Sequence, residues 1–446
     1  MTGFFYEKIK YLFQHRFIRG VAILQTGSFA TGIIQALVGV FLARWLQPEL
    51  FGVFALAFSL ASLISVFVGA GVQDAVAQDA MSTVLSEAYV RKDRAAIKDA
   101  LAFLVKITFF IAILALIGTA LAPLIAKGLY GSSKIGVYAG VIILAVASST
   151  FFFSLSTLIL RVLYRIRAMM LLTLSDQVVR YGLSLLLVFL GFSVAGAVTG
   201  HLLGAVVILF ISFFVWENLR KQYSFLPSLR GLLGQAKKVS VKKYLGFSGW
   251  IAVDRNLASL YAILPVLLTG VFVASSEVAF FKLAFAYINV AVSLLGPVSV
   301  LLNVEFPKMK IEDSAKLSQN FIKVSFYSLG LSGVLTAVAL LAAPYAFKFF
   351  YGISFLPSVE YVYGLFVYGA LFGIGVGLGP MWRAVNKVKV SILINTITLG
   401  IGVPLGLFLI KNFSLWGAVI MVTLWFTISH FVSFIYLAKF LKKYAN

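Results

Sequence analysis

Five charged residues stand out within long apolar stretches: Asp176, Arg180, Asp254, Arg255 and Lys282. A charge at mid-helix in a bilayer costs about 2.5–3.5 kcal/mol on insertion scales, so such residues face protein or water and mark candidate sites. Asp176 and Arg180 lie four apart, on one helix face with Thr173 and Ser184, and can neutralise each other. Asp254 and Arg255 are adjacent, so their side chains diverge by about 100° and at least one of them needs a partner from another helix or a ligand. Lys282 shares a face with Asn289 and Ser293, although its place near a helix end also allows its amine to snorkel towards water. Gln25, Ser28, Gly32 and Gln35 form a further stripe at spacings of three and four. Their amides and hydroxyls suit sugars or, equally, hydrogen bonds between helices. Arg180, Arg255 and Lys282, brought together, would favour an anionic guest such as a phosphate or pyrophosphate, since arginine can grip two oxygens at once.

The elements that must position these residues are membrane helices. Of the 446 residues 61% are hydrophobic and 12% charged, a balance that a water-soluble core cannot hide. Crossing a hydrocarbon layer of about 30 Å takes roughly 20 apolar residues of helix. Stretches of that length recur near 18–46, 51–72, 99–124, 135–160, 168–191, 194–216, 244–273, 277–304, 320–347, 356–381, 390–411 and 414–438. The fold expected is an all-α polytopic membrane protein of about twelve spans.

The 37 Lys and Arg residues set its orientation. The N-terminal segment (Lys8, Lys10, Arg16, Arg19), the loop near 73–98 and every second loop after it collect 28 of the 37, and the intervening loops hold only Arg44, Lys127, Lys134, Lys348 and Lys411. Cytoplasmic loops are enriched in these residues, so both termini are expected in the cytoplasm. The net charge of +22 therefore reflects topology and not a nucleic-acid partner. Basic runs such as Lys237 to Lys243 suit anionic lipid head groups. There is no cysteine, which excludes disulfides and thiolate metal sites. The charged start runs into a long span without a small-residue cleavage site, as for a retained first helix.

The chain repeats itself. Phe192-Ser193-Val194-Ala195-Gly196-Ala197-Val198 and Phe413-Ser414-Leu415-Trp416-Gly417-Ala418-Val419 agree at five of seven positions. Phe54 to Phe58 pairs with Phe281 to Phe285, and Arg165-Ile166-Arg167 with Lys387-Val388-Lys389. Six spans separate the copies, so the halves should be related by an axis along the membrane normal. Two pseudo-symmetric six-helix lobes are expected, 1–216 and 244–446, joined by a basic cytoplasmic linker and hinge at 217–243. That is the architecture of a transporter alternating between inward and outward openings. Gly196, Gly200 and Gly204 give the small-residue spacing of a close helix contact. The glycines at 373, 375, 377 and 379 follow no strand and suggest helix flexibility or close packing, not a nucleotide loop. His201 and His430 read as packing residues. No P-loop lysine pattern occurs, and the external loops are too short for a catalytic domain, so the chain is not expected to be an enzyme.

The run Ala43-Arg44-Trp45-Leu46-Gln47-Pro48-Glu49-Leu50-Phe51-Gly52-Val53-Phe54-Ala55-Leu56-Ala57 resembles a signature of polysaccharide flippases. These belong to the superfamily of multidrug, oligosaccharidyl-lipid and polysaccharide (MOP) exporters, whose fold is that of the MATE transporters. Asn386 to Lys389, the segment Phe413 to Val419, and Asp254 in the seventh span are similar to that family too, with Gln47 standing where glycine is usual before the proline. The resemblance implies a multi-pass protein of the cytoplasmic membrane that moves a lipid-linked oligosaccharide, a polyprenyl-diphosphate sugar, from the cytoplasmic to the outer leaflet. It implies polysaccharide-assembly enzymes as partners, no cofactor, and a coupling cation as an option. On this reading Arg255 and Arg180 hold phosphate or acidic sugars, while Asp254 and Asp176 orient them or bind the cation. The alternative in the same superfamily is an ion-coupled multidrug antiporter, which needs a net acidic cleft. Three cations (Arg180, Arg255, Lys282) against two carboxylates (Asp176, Asp254) favour the flippase.

Overall fold

The structure is a computed structural model that describes residues 16–68, 81–312 and 314–445. Lys8, Lys10 and residues 73–80 of the first inner loop lie outside the described residues, as do the side chains of Arg16, Arg19, Lys242 and Lys243. All regular structure among the described residues is helical. The first half runs Arg16–Val68 (α1), Met81–Val90 (α2), Arg94–Tyr130 (α3), Ser133–Val162 (α4), Ile166–Leu187 (α5) and Ser193–Gln222 (α6). Leu229–Lys238 (α7) leads to Lys242–Thr269 (α8), Ser275–Ser293 (α9), Gly296–Glu312 (α10) and Ser314–Ala346 (α11). Ser358–Gly364 (α12), Phe366–Leu371 (α13), Leu378–Ala384 (α14) and Val388–Ala445 (α15) complete the chain.

As far as the described residues reach, the expected spans fall on these helices, residues 69–72 of span two lying outside them. Two are carried by α1, which bends at Gln47, and two by α15, which bends at Ser414. Spans eight and ten, expected as continuous, are broken. Span eight stops at Leu294 because Pro297 has no amide hydrogen to continue the ladder and its ring obstructs the carbonyl one turn back. Span ten bends by 47° after Gly364 and then tightens into a 3₁₀ stretch, Phe372–Gly377, which holds three of the four alternate glycines. The hydroxyl of Ser332 splints that stretch, donating to the Ala370 carbonyl (2.6 Å) and accepting the Gly373 amide (3.0 Å). Exposed residues on α3 include Phe109, Phe110, Ile113, Leu116, Ile117 and Leu124, an apolar stripe suited to lipid.

Contacts divide the described chain into two compact units. The first comprises 1–45, 64–121 and 140–249, with a core that includes Phe103, Leu158, Trp216, Leu232 and Tyr244. The second comprises 46–63, 122–139 and 250–446. Within the second unit, Ser354 donates to the Gln47 amide oxygen (3.0 Å), Phe51 meets Phe355 edge-on (6.1 Å), and Gly52 lies against the Ser275 carbonyl so closely that any side chain would collide with it. Gln47 itself has φ 60°, a left-handed conformation that glycine reaches without the steric penalty of a side chain.

The internal repeat extends to backbone angles. Ser193 and Ser414 turn their hairpins with φ 54°, ψ −144° and φ 51°, ψ −132°. Tyr164 and Asn386, just before the third pair of repeats, both have φ 56°. The amides after them close the same loop, Arg165 N to Leu160 O (2.7 Å) and Lys387 N to Trp382 O (2.9 Å).

Candidate functional site

In the first unit, α5 presents Asp176 and Arg180 as the spacing predicts, both buried. Arg180 Nε donates to Asp176 Oδ1 at 2.5 Å, and its terminal nitrogen donates to the Ser149 hydroxyl on α4. Gln177 Nε2 reaches Asp176 Oδ2 (3.2 Å), and Gln35 Nε2 on α1 reaches Gln177 Oε1 (2.9 Å). Burying such a pair costs least when each partner is hydrogen-bonded, as both are within this cluster. Gln25 is half-buried on α1, and Ser28 and Gln35 are exposed, so this polar stripe does face away from the packed side. Gly200 and Gly204 let α6 lie directly on the backbone of Leu183, Ser184 and Arg180. His201, buried there, has the Tyr181 ring 5.8 Å away.

In the second unit the polar groups are strung between helices. Asp254 on α8 is half-buried and accepts from Ser391 Oγ (3.2 Å). Asn395 Nδ2 donates to that same hydroxyl (3.3 Å), and Ser429 donates to Asn395 Oδ1 (2.7 Å), so one chain of hydrogen bonds joins α8 to both limbs of α15. Arg255, the next residue, is exposed, which is the divergence expected of neighbours on a helix.

Arg383, two residues beyond the expected end of span ten, is exposed on α14, directs Nε (3.2 Å) and a terminal nitrogen (2.8 Å) to Asn303 Oδ1 on α10, and acts electrostatically on the Asp254 carboxylate. Lys389 places its ammonium 4.9 Å from the centre of the Trp250 ring. Lys282 on α9 is half-buried and has no hydrogen-bond or ion-pair partner among the described residues. Asn289, two turns along, accepts from the Tyr368 hydroxyl (2.6 Å), and His430 packs edge-on against Phe426 (5.3 Å).

Each unit therefore gathers its own part of the expected set. Gln35 joins Asp176 and Arg180 through Gln177, whereas Asp254 joins Arg383 and the Ser391–Asn395–Ser429 chain. Ser149, Gln177, Asn303, Arg383, Ser391, Asn395 and Ser429 were not singled out from sequence. Arg383 had one usable signal, its position between a glycine-rich span and the Asn386–Lys389 turn, which places it at a span end and not in open loop.

Twelve helical spans in two repeats, carrying buried polar chains, define a multi-pass membrane protein of transporter fold. Its solved relatives in fold include an inward-facing multidrug resistance MATE family transporter of the MOP superfamily, with TM-score 0.73, 16% identity, and coverage of 93% of this chain and 96% of that one. The outward-facing conformation of such a transporter gives TM-score 0.59 at 17% identity, covering 95% and 96%. The lipid II flippase MurJ in an inward closed conformation gives 0.67 at 14% identity, covering 94% of this chain and 87% of that one. A search of curated proteins by sequence finds no match. Residues 17–309 match the family described as polysaccharide biosynthesis protein, and the chain belongs to that family.

Proposed function

We propose that the protein is a flippase that moves a lipid-linked oligosaccharide, carried on a polyprenyl diphosphate, from the cytoplasmic to the outer leaflet by alternating access. The observation that carries this reading is that two arginines accompany the one carboxylate of Asp254, Arg255 as its neighbour on α8 and Arg383 through its electrostatic contact, while Lys282 on α9 has no described partner. An anionic diphosphate complements such a surplus, and arginine can take two phosphate oxygens together. Family membership supports the saccharide. Arg255 is assigned the phosphate, with Arg383 held ready by Asn303, and Asn289, Gln25, Ser28 and Gln35 the sugar hydroxyls. Arg180 is given a structural part, because its donors are already directed to Asp176 and Ser149. Asp254, with hydroxyl and amide oxygens strung beside it, is the better placed of the two carboxylates to orient the substrate or take a coupling cation. The lobes 1–216 and 244–446, joined through 217–243, are the bodies that alternate, and polysaccharide-assembly enzymes are the partners that would supply the substrate or receive it.

The test is protection of a lipid-diphosphate oligosaccharide in reconstituted liposomes from an external sugar-modifying reagent. The native protein should speed the loss of protection. Arg255→Ala and Arg383→Ala should each reduce that rate about a hundredfold, the scale expected when one partner of a hydrogen-bonded charge pair is removed. Native-like rates in both variants would overturn the site. No effect of the native protein, together with proton- or sodium-driven uptake of a cationic dye, would place it with the multidrug antiporters.

A further inference from the structure

The connection between α6 and α8 holds a second basic surface, made of residues other than those assigned to the substrate. Helix α7, Leu229–Lys238, is capped by Ser228, whose hydroxyl accepts the Gly231 amide (3.2 Å). Leu232 and Ala236, one turn apart, are buried in the core of the first unit. Two bonds lock its rotation. Gln235 Nε2 donates to Asp99 on α3 (2.6 Å), and Lys106 Nζ donates to the Val239 carbonyl just past the helix end (2.9 Å). The face turned outward is then set: Arg230, Leu233, Gly234, Lys237 and Lys238 are all exposed, Leu233 by 45%.

A leucine standing among cations on a short helix, tethered at both ends to membrane-crossing helices, is the pattern of a helix lying in the head-group plane. The cations put it on the cytoplasmic side, where the leaflet is anionic. Positive-inside topology alone asks only for charge in the loop, not for a rotationally fixed basic face with an apolar centre. We propose that α7 is an interfacial helix whose Arg230, Lys237 and Lys238 bind the head groups of anionic phospholipids of the cytoplasmic leaflet while Leu233 enters the acyl boundary.

The chain has no cysteine, so Gly234→Cys, at a position with open space around it, carries a single fluorophore on the full-length protein. In nanodiscs of phosphatidylcholine and phosphatidylglycerol, quenching by head-group spin-labelled phosphatidylglycerol should exceed quenching by the labelled phosphatidylcholine roughly fivefold at low salt, and the excess should fall as salt is raised. The variant R230Q/K237Q/K238Q should lose the excess while keeping its thermal midpoint. Equal quenching by the two lipids, or an excess that survives in the variant, would overturn the proposal. A fall in quenching by both lipids in Leu233→Ser would support insertion of that side chain, and unchanged quenching would overturn it.

Discussion

The hairpin of α5 and α6 and the hairpin within α15 turn on the same left-handed serine, Ser193 in one and Ser414 in the other, yet fill the space between their limbs in opposite ways. In the first, the second limb is the small one: Gly200 and Gly204 bring it onto the backbone of Leu183, Ser184 and Arg180. In the second, the first limb is small, and Gly402 and Gly406 receive the Trp425 indole and the Met421 thioether. Only the turn-proximal glycine, Gly196 or Gly417, stays on the same limb in both. Close packing needs one small partner in each layer but does not specify which limb supplies it. Bulk has therefore changed sides between the copies, and with it the chemistry. With the space on its side, α5 holds Asp176 and Arg180 as a closed pair braced by Ser149. The limbs of α15 hold no such pair there, and their Ser391, Asn395 and Ser429 reach out to Asp254 on another helix.

Three experiments would break or sharpen this contrast. The largest effect should come from Asp176→Ala, which leaves Arg180 buried without its carboxylate and should cost about 3–5 kcal/mol. It would be seen as a lower thermal midpoint in detergent. The pair D176L/R180M should recover most of that loss and retain transport, whereas loss of transport in a stable double variant would give Arg180 a part in substrate handling. Next, Gly204→Ala places a Cβ 2.5 Å from Arg180 Cα, where only backbone movement relieves the clash, and should cost about 1–3 kcal/mol or more. Gly402→Ala meets the movable Trp425 ring instead, so its cost should be smaller and should shrink further with Trp425→Phe. Equal costs at the two glycines would refute the exchange of roles. The smallest effects belong to Ser193→Gly and Ser414→Gly, each stabilising by up to about 1 kcal/mol if both turns carry the same left-handed cost. A gain at one turn only would show that the backbones differ in solution.

Much of the scaffold was legible in the residues. The repeat at Phe192 and Phe413, seven residues long, marked both hairpin turns, and Gly200 and Gly204 announced the close α5–α6 contact. The i,i+4 spacing of Asp176 and Arg180 foretold their pair. Less legible was what lay between distant segments. The partner of Arg383, Asn303, is 80 residues earlier, and the step from Asp254 to Ser391 spans 137. The breaks in spans eight and ten were hidden because hydropathy stays high through Leu294 and through the glycines from 373 to 379. Pro297 and the Ser332 splint decide them locally.

Taken alone, the sequence determined the membrane setting, the helical spans and the duplication, and it supplied the expected orientation. Each of these depends on local quantities: the length of an apolar run against the bilayer thickness, the side on which cations collect, and short identities at fixed spacing. Only the tertiary structure decided which charges are neutralised and which remain to meet a ligand. Arg180 is paired with Asp176 and braced by Ser149 on a neighbouring helix, Arg383 is held by Asn303 on another within electrostatic reach of Asp254, and Lys282 meets no described partner. In a low-dielectric bilayer the cost of a charge depends on such contacts, and contacts between residues far apart in the chain exist only once the helices have packed.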